Sequence, residues 1–136
     1  MTAEQKEILS DLVRKNRYMQ SIGIELLELK EGYARGRLPF SEDIVNPYGS
    51  MHGGVLYSLA DTIAGLAACT CGRYSSTIDG GLHYLRPAMG TAYVYCEAHV
   101  LRQGRQIAVY RAELLDDRGV LLDTGEFTYF MLEEEV

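Results

Sequence analysis

The residues best suited to chemistry lie in one short run. His52, Gly53 and Gly54 open an apolar stretch in which one carboxylate, Asp61, stands among Leu59, Ala60, Ile63, Ala64, Leu66, Ala67 and Ala68. A carboxylate is expensive to bury, so a chain that keeps one there has a use for it. Glycines at a helix start let the backbone approach a ligand closely. The first N–H groups of the helix are unpaired and carry the positive end of its dipole. Gly53 therefore reads as an N–H donor to a developing oxyanion. Asp61 reads as a base that activates water, or as a nucleophile.

The spacing limits how these two can cooperate. Asp61 lies eight residues beyond Gly53. At about 1.5 Å per helical residue they stand roughly 12 Å apart, so they cannot touch one carbonyl from the same helix. A two-fold dimer, in which Asp61 of one chain faces Gly53 of the other, resolves this and creates two equivalent sites.

The elements around this run follow from periodicity. Ala3 to Asn16 reads as a helix (1–17 with its flanks), with Thr2 and Gln5 as a capping box and Ile8, Leu9, Leu12 and Val13 as its apolar stripe. Ile22 to Leu29 and Tyr33 to Phe40 read as strands. A polar loop, Ser41 to Met51, precedes the long helix predicted over 53–72, which is apolar nearly all round and so buried on most sides. Four strands follow at Ser76 to Leu85, Thr91 to Arg102, Gln106 to Leu115 and Leu121 to Leu132, and turn residues separate them. One domain over 1–136 is predicted, of α+β class: an antiparallel sheet wrapped around one long helix.

Bulk properties exclude several classes. The net charge of −6 argues against general nucleic-acid binding. No apolar run is long enough for a membrane span. The polar N-terminus does not read as a secretory signal, and the three cysteines read as free thiols, so a cytoplasmic location is expected. No His, Cys, Asp or Glu spacing suggests a metal site, and no cofactor is expected.

Taken together, the run from Asn46 to Gly54, the stretch Ser58-Leu59-Ala60-Asp61-Thr62, Thr77-Ile78-Asp79, Tyr84-Leu85-Arg86-Pro87-Ala88 and Leu101 to Arg105 carry a family pattern. The chain resembles the hotdog-fold acyl-CoA thioesterases, in the branch that holds the phenylacetic-acid-pathway type and human thioesterase superfamily member 2. The likeness covers roughly residues 20 to 132. It implies hydrolysis of acyl-CoA to free acid and CoA, with CoA as part of the substrate. It implies a homodimer at least, and a homotetramer, with shared sites.

Residue by residue, the resemblance gives Asn46 a role in orienting the thioester or water beside Gly53. It gives Thr77, where the family holds Ser, a role in positioning the attacking water near Asp61. Asp79 and Tyr84 match substrate- or CoA-contacting positions, and the segment Arg102, Gln103, Gly104, Arg105 and Gln106 matches one that holds the CoA nucleotide. Arg102 and Arg105 supply charge where phosphate oxygens would lie, and Arg86 adds to it. His52 and Gly54 border the site, His52 with a structural or loop-orienting role. Two other functions stay open: a hotdog hydratase or dehydratase acting on acyl thioesters, and a non-catalytic acyl-CoA binding module. The first lacks its His-Phe-Pro type signature here, and the second is expected to lack the carboxylate that this chain keeps.

Overall fold

The chain begins with the predicted capping box. In this computed structural model, which describes residues 1–136, the Gln5 N–H donates to Thr2 Oγ1 at 3.0 Å and the Thr2 N–H to Gln5 Oε1 at 2.9 Å. They start α1 (Ala3–Lys15), which buries Leu9 and Val13. Asn16 ends α1, and its side chain accepts from the Met19 N–H to cap a second helix, α2 (Arg17–Ile22). Gly23, at φ 87°, closes α2 in the left-handed region that favours glycine. The pattern predicts a strand from Ile22, but this cap intervenes and the strand starts at Glu25.

The remaining elements are β1 (Glu25–Lys30), β2 (Tyr33–Pro39), α3 (Gly53–Cys69), β3 (Arg73–Tyr84), β4 (Tyr93–Gln103), β5 (Ile107–Leu115) and β6 (Leu121–Glu135). The strands form one six-stranded sheet in the order β1-β2-β4-β5-β6-β3, with every pairing antiparallel. The α+β architecture matches the expectation. β3 begins three residues earlier than its pattern suggests, and β6 runs through Glu135 because Arg73 and Glu135 pair in the ladder. The acidic run Glu133 to Glu135 is thus an exposed strand end, where the backbone pairs while the side chains stay in water.

α3 lies across the inner face of the sheet and packs on β2, β3, β4 and β5. Leu59, Ala60, Ile63, Ala64, Ala67 and Ala68 are fully buried. Burying a large aliphatic side chain such as Leu59 or Ile63 contributes about 1.5–3 kcal/mol, so this face fixes the helix to the sheet. At Gly36 of β2, a Cβ would come 2.3 Å from Ile63 Cδ1, so glycine is what permits the close approach of sheet and helix. The helix is not enclosed all round. Gly54, Tyr57, Ser58, Asp61, Thr62 and Gly65 form a stripe that the sheet leaves partly open.

One irregularity decides which β3 side chains meet α3. The pairing passes from Thr77–Tyr129 to Asp79–Thr128, leaving Ile78 as a bulge. Thr77 therefore shares the inner face with buried Tyr129. Asp79 pairs with Thr128, on the face turned away from the helix. β3 and β1 are the sheet's two edges.

Candidate active site

The start of α3 is built so that one N–H stays free. The side chain of His52, the N-cap residue, accepts the Gly54 N–H at its Nδ1, 2.9 Å away. The Val55 and Leu56 N–H groups both donate to the His52 carbonyl, at 3.0 and 3.2 Å. Gly53 N–H is left without an acceptor in the chain. His52 therefore caps the helix, and the donor it leaves open belongs to its neighbour.

A cavity of about 300 Å³ opens beside this N–H, with Asn46, Gly53, Leu56, Tyr84, Arg86 and Ala88 among its walls. The Tyr84 hydroxyl donates to the Gly53 carbonyl at 2.8 Å. Burial raises the Tyr84 phenol above its ordinary range, helped by the charge of Asp123 and then by Tyr57, so the donor stays protonated. The Asn46 carboxamide shapes the loop: its Oδ1 accepts the Tyr48 and Ser50 N–H groups, and its Nδ2 donates to Ser50 Oγ at 2.7 Å. Arg86 donates to the Leu121 carbonyl at 2.7 Å, which ties the post-β3 turn to β6.

Asp61 lies two turns further along α3, in a second environment. Its Oδ1 accepts the Thr77 hydroxyl at 2.8 Å and the Tyr129 hydroxyl at 3.0 Å, and Tyr129 also donates to the Asp61 carbonyl at 3.0 Å. Oδ2 has no hydrogen-bond partner in the chain. Burial, followed by the neighbouring Asp61 charge, pushes the Tyr129 phenol far up, which keeps it a donor. An apolar-lined cavity of about 230 Å³ adjoins Asp61, Thr77 and Tyr129, and Leu12, Met19 and Tyr74 contribute to its walls. The overlooked helix α2 supplies Met19 to that cavity. It also supplies the Tyr18 hydroxyl, 2.6 Å from Ser58 Oγ.

Tyr129 is the residue that sequence reasoning missed. Its signal was the alternation Phe127, Tyr129, Met131, which puts a phenol on the inner face of β6. Three arginines gather at the far end of the sheet. Arg102 and Arg105 are exposed in the β4–β5 hairpin, and the unanticipated Arg73 donates to the Arg105 carbonyl. Gln103 Oε1 accepts the Tyr110 hydroxyl at 2.8 Å, Gly104 N–H donates to the Ile107 carbonyl, and the Gln106 carbonyl accepts the Met131 N–H. Within one chain, then, Gly53, Asn46, Tyr84 and Arg86 are together, Asp61 and Thr77 are together, and the arginine hairpin and Asp79 lie apart from both. A larger depression than either, about 540 Å³, is a polar cleft at Asp79, His83, Arg111 and Glu126, and it holds neither Gly53 nor Asp61. No three His, Cys, Asp or Glu side chains are grouped to hold a metal ion, and no helix is long and apolar enough to cross a membrane.

A free N–H at a helix start beside a cavity and a clamped carboxylate two turns on form a pair suited to acyl transfer to water. A model of the thioesterase superfamily matches residues 48–122, which span both. The chain belongs to the thioesterase superfamily. It is a hotdog-fold thioester hydrolase of the PaaI type. The acyl-coenzyme A thioesterase PaaI of Escherichia coli is 29% identical over 99 residues, covering 73% of this chain and 71% of that protein. Human acyl-coenzyme A thioesterase 13 is 27% identical over 132 residues, 94% of each chain. The solved E. coli PaaI structure superposes with a TM-score of 0.91 at 22% identity, covering 97% of this chain and 96% of that one. A Streptococcus mutans protein, smu.793, solved bound to acetyl CoA, superposes with a TM-score of 0.79 at 19% identity over 84% of this chain and 92% of that one. At these identities the two structures speak for the fold.

Proposed function

We propose that this thioesterase hydrolyses acyl-CoA thioesters to the free acid and CoA, at two sites each shared by two copies of the chain. The observation that carries the reading is the pairing on one helix of an open Gly53 N–H with Asp61, whose Oδ1 is held and whose Oδ2 is free. The names of the E. coli and human relatives support CoA as the carrier.

In this reading the thioester carbonyl lies against the Gly53 N–H of one chain, where a developing oxyanion meets the helix dipole. Asp61 of the other chain presents Oδ2. Thr77 and Tyr129 fix the plane of its carboxylate by holding Oδ1, so the reactive oxygen is aimed without a search through rotamers. As a base, Oδ2 takes a proton from water while the water oxygen bonds to the carbonyl carbon. The tetrahedral intermediate then collapses, the C–S bond breaks, and the thiolate leaves, taking the proton back from Asp61. A thiol with a pKa of about 8.5 is a good leaving group, so a strong general acid is not required. As a nucleophile, the same Oδ2 would form a mixed anhydride that water then opens. A single turnover in ¹⁸O water that leaves label in Asp61 establishes the anhydride route, with water opening the anhydride at the Asp61 carboxyl carbon; trapping the anhydride with hydroxylamine tests for opening at the acyl carbon. The exposed Arg102 and Arg105, with the half-buried Arg73 holding the Arg105 carbonyl, supply charge for the nucleotide phosphates.

The test uses two dead variants. Asp61→Asn should lower CoA release, read with a thiol reagent, by at least about 100-fold. Gly53→Pro removes the N–H at a helix position that tolerates proline, and should cost about 100- to 1,000-fold with the fold kept. Mixed in equal amounts and reassembled, the two should recover about one quarter of wild-type activity, since half the dimers then contain one intact shared site. Full activity in Asp61→Asn overturns the assignment of Asp61. No recovery on mixing, with exchange verified, overturns the shared site.

A further inference from the structure

The cavity beside Asp61 has walls that the catalytic scheme does not call for. Leu12 comes from α1 and Met19 from α2, and Leu66, Cys69 and Tyr74 add further apolar surface. Asp61 is the one charged group lining it. The hydroxyls of Thr77 and Tyr129 are spent on Asp61, and that of Ser75 on the Gly65 carbonyl at 3.1 Å. What is left to meet a ligand is mostly hydrocarbon. On α1, Leu9 and Val13 enter the core, whereas Leu12 is 39% exposed. α2 is tied down on two sides. Gln20 Nε2 donates to the Val13 carbonyl at 2.8 Å, which joins α2 to α1. Ser58 gives its proton to the Gly54 carbonyl, so the Tyr18 hydroxyl donates to Ser58 Oγ, 2.6 Å away. Ser58 lies three residues before Asp61, on the same face of α3, so this second tie sets Met19 close to the carboxylate.

We propose that Leu12 and Met19 are specificity-determining residues: they bound the seat of the acyl group beside Asp61 and limit it to uncharged groups of medium length. The proposal rests on the role given above to Asp61. With the carbonyl carbon at that carboxylate, the acyl tail has this apolar space next to it. An apolar cavity of about 150 Å³ takes a benzene ring, which has six carbons. In proportion, about 230 Å³ takes about nine carbons. A longer tail has to displace Met19 or Leu12. Met19 is unbranched and adaptable, so the limit is graded and not abrupt. A second carboxylate at the far end of the tail is excluded on two counts. It would lose its water among hydrocarbon, and it would face the Asp61 charge with no lysine or arginine on the wall. The N-terminal helices thus act as a ruler for the acyl group, and the Tyr18–Ser58 bond fixes its setting.

The test is kcat/KM, read as thiol release, for straight-chain acyl-CoA substrates of four to sixteen carbons. An eight-carbon substrate with a terminal carboxylate joins the panel. The enzymes are the wild type, Leu12→Ala, Met19→Ala and Met19→Trp. In the wild type kcat/KM should rise about fourfold for each methylene buried, up to about eight to ten carbons, and then fall. Leu12→Ala and Met19→Ala open the far wall and should move the optimum about two to four carbons longer. Met19→Trp fills the space and should move it about two carbons shorter. Shifts in opposite directions exclude a folding defect, because loss of folded enzyme lowers every length alike. The substrate with the terminal carboxylate should be at least about tenfold poorer than its plain counterpart. An optimum that no variant moves, a wild type most active at sixteen carbons, or equal use of the two eight-carbon substrates overturns the proposal and leaves the thioesterase reading standing. A wild type inert toward every acyl-CoA overturns that reading, and the ruler with it.

Discussion

Replacing Asp123 by Asn should change how stability depends on pH, by an amount the structure sets. The folded carboxyl is raised to about 7 from its ordinary 3.8 by burial, with no other cause. At about 1.4 kcal/mol for each pH unit of difference, the linked free energy is about 4 kcal/mol. The sign follows from proton binding. Between pH 4 and 7 the folded chain keeps a proton that the unfolded chain has released, so stability falls as pH rises through that window. The contribution is fully present below the unfolded value, and it is lost once the pH passes the folded one. Asparagine has the same shape and no charge to develop, so the variant lacks this slope. Other carboxylates titrate alike in both proteins and cancel in the difference.

Urea unfolding of both proteins at pH 4.5, 6, 7.5 and 9 reads this directly, at one chain concentration because assembly would shift the apparent stability. Relative to the wild type, Asp123→Asn should gain about 3 kcal/mol between the acid and alkaline ends of the series, the rest of the effect lying below pH 4.5. Since a whole domain is worth about 5–15 kcal/mol, the gain is a large share of the total. A difference that stays flat within about 0.5 kcal/mol would show that Asp123 finds a partner or water when ionised, and the burial reasoning would fail.

Tyr129→Phe removes both donations to Asp61 at constant shape, and should lower kcat about tenfold with KM unchanged while costing about 1–2 kcal/mol of stability in urea. Thr77→Val should lower kcat in the same way, and Thr77→Ser should restore it, because only the hydroxyl on Asp61 Oδ1 matters. Arg102→Ala combined with Arg105→Ala should raise KM for an acyl-CoA about fivefold or more, yet leave the KM of an N-acetylcysteamine thioester, which has no nucleotide, unchanged.

The long elements were legible in the sequence because each carries its own period. The apolar stretch after Gly53 could only be a buried helix, and the four runs after it could only be strands. The candidate residues on α3 stood out for the same reason, since a carboxylate in such a run is conspicuous. What escaped was short or non-local. α2 has six residues and runs into Ile22-Gly23-Ile24, which resembles a strand start, although Asn16 and Gly23 cap the helix at both ends. The partner of Tyr129 is 68 positions away, a relation that no local pattern contains. The bulge at Ile78 shifts Asp79 to the outer face, and nothing in the alternation of β3 announces it. Asp123 sits among Leu121, Leu122 and Thr124, where either face was a fair reading until the ladder placed it opposite Tyr84.

The proposed chemistry and the sheet's unfinished edge are two aspects of one arrangement. β3 has twelve residues, pairs with β6 on one side only, and exposes Ile78 at mid-strand. A long edge of this kind invites pairing with another chain. Thr77 lies on that edge and holds Asp61, while Tyr84 ends the same strand and holds Gly53. An antiparallel pairing of two β3 edges would therefore bring the Thr77–Asp61 end of each chain toward the Tyr84–Gly53 end of the other. The separation of roughly 12 Å along α3, which bars a monomer from acting on one carbonyl, is then the offset that a two-fold axis removes. Thr77, Tyr84 and Tyr129 all lie on β3 or its only in-chain neighbour, β6. On this reading the strand pair that completes the assembly is also the one that aims both halves of the site.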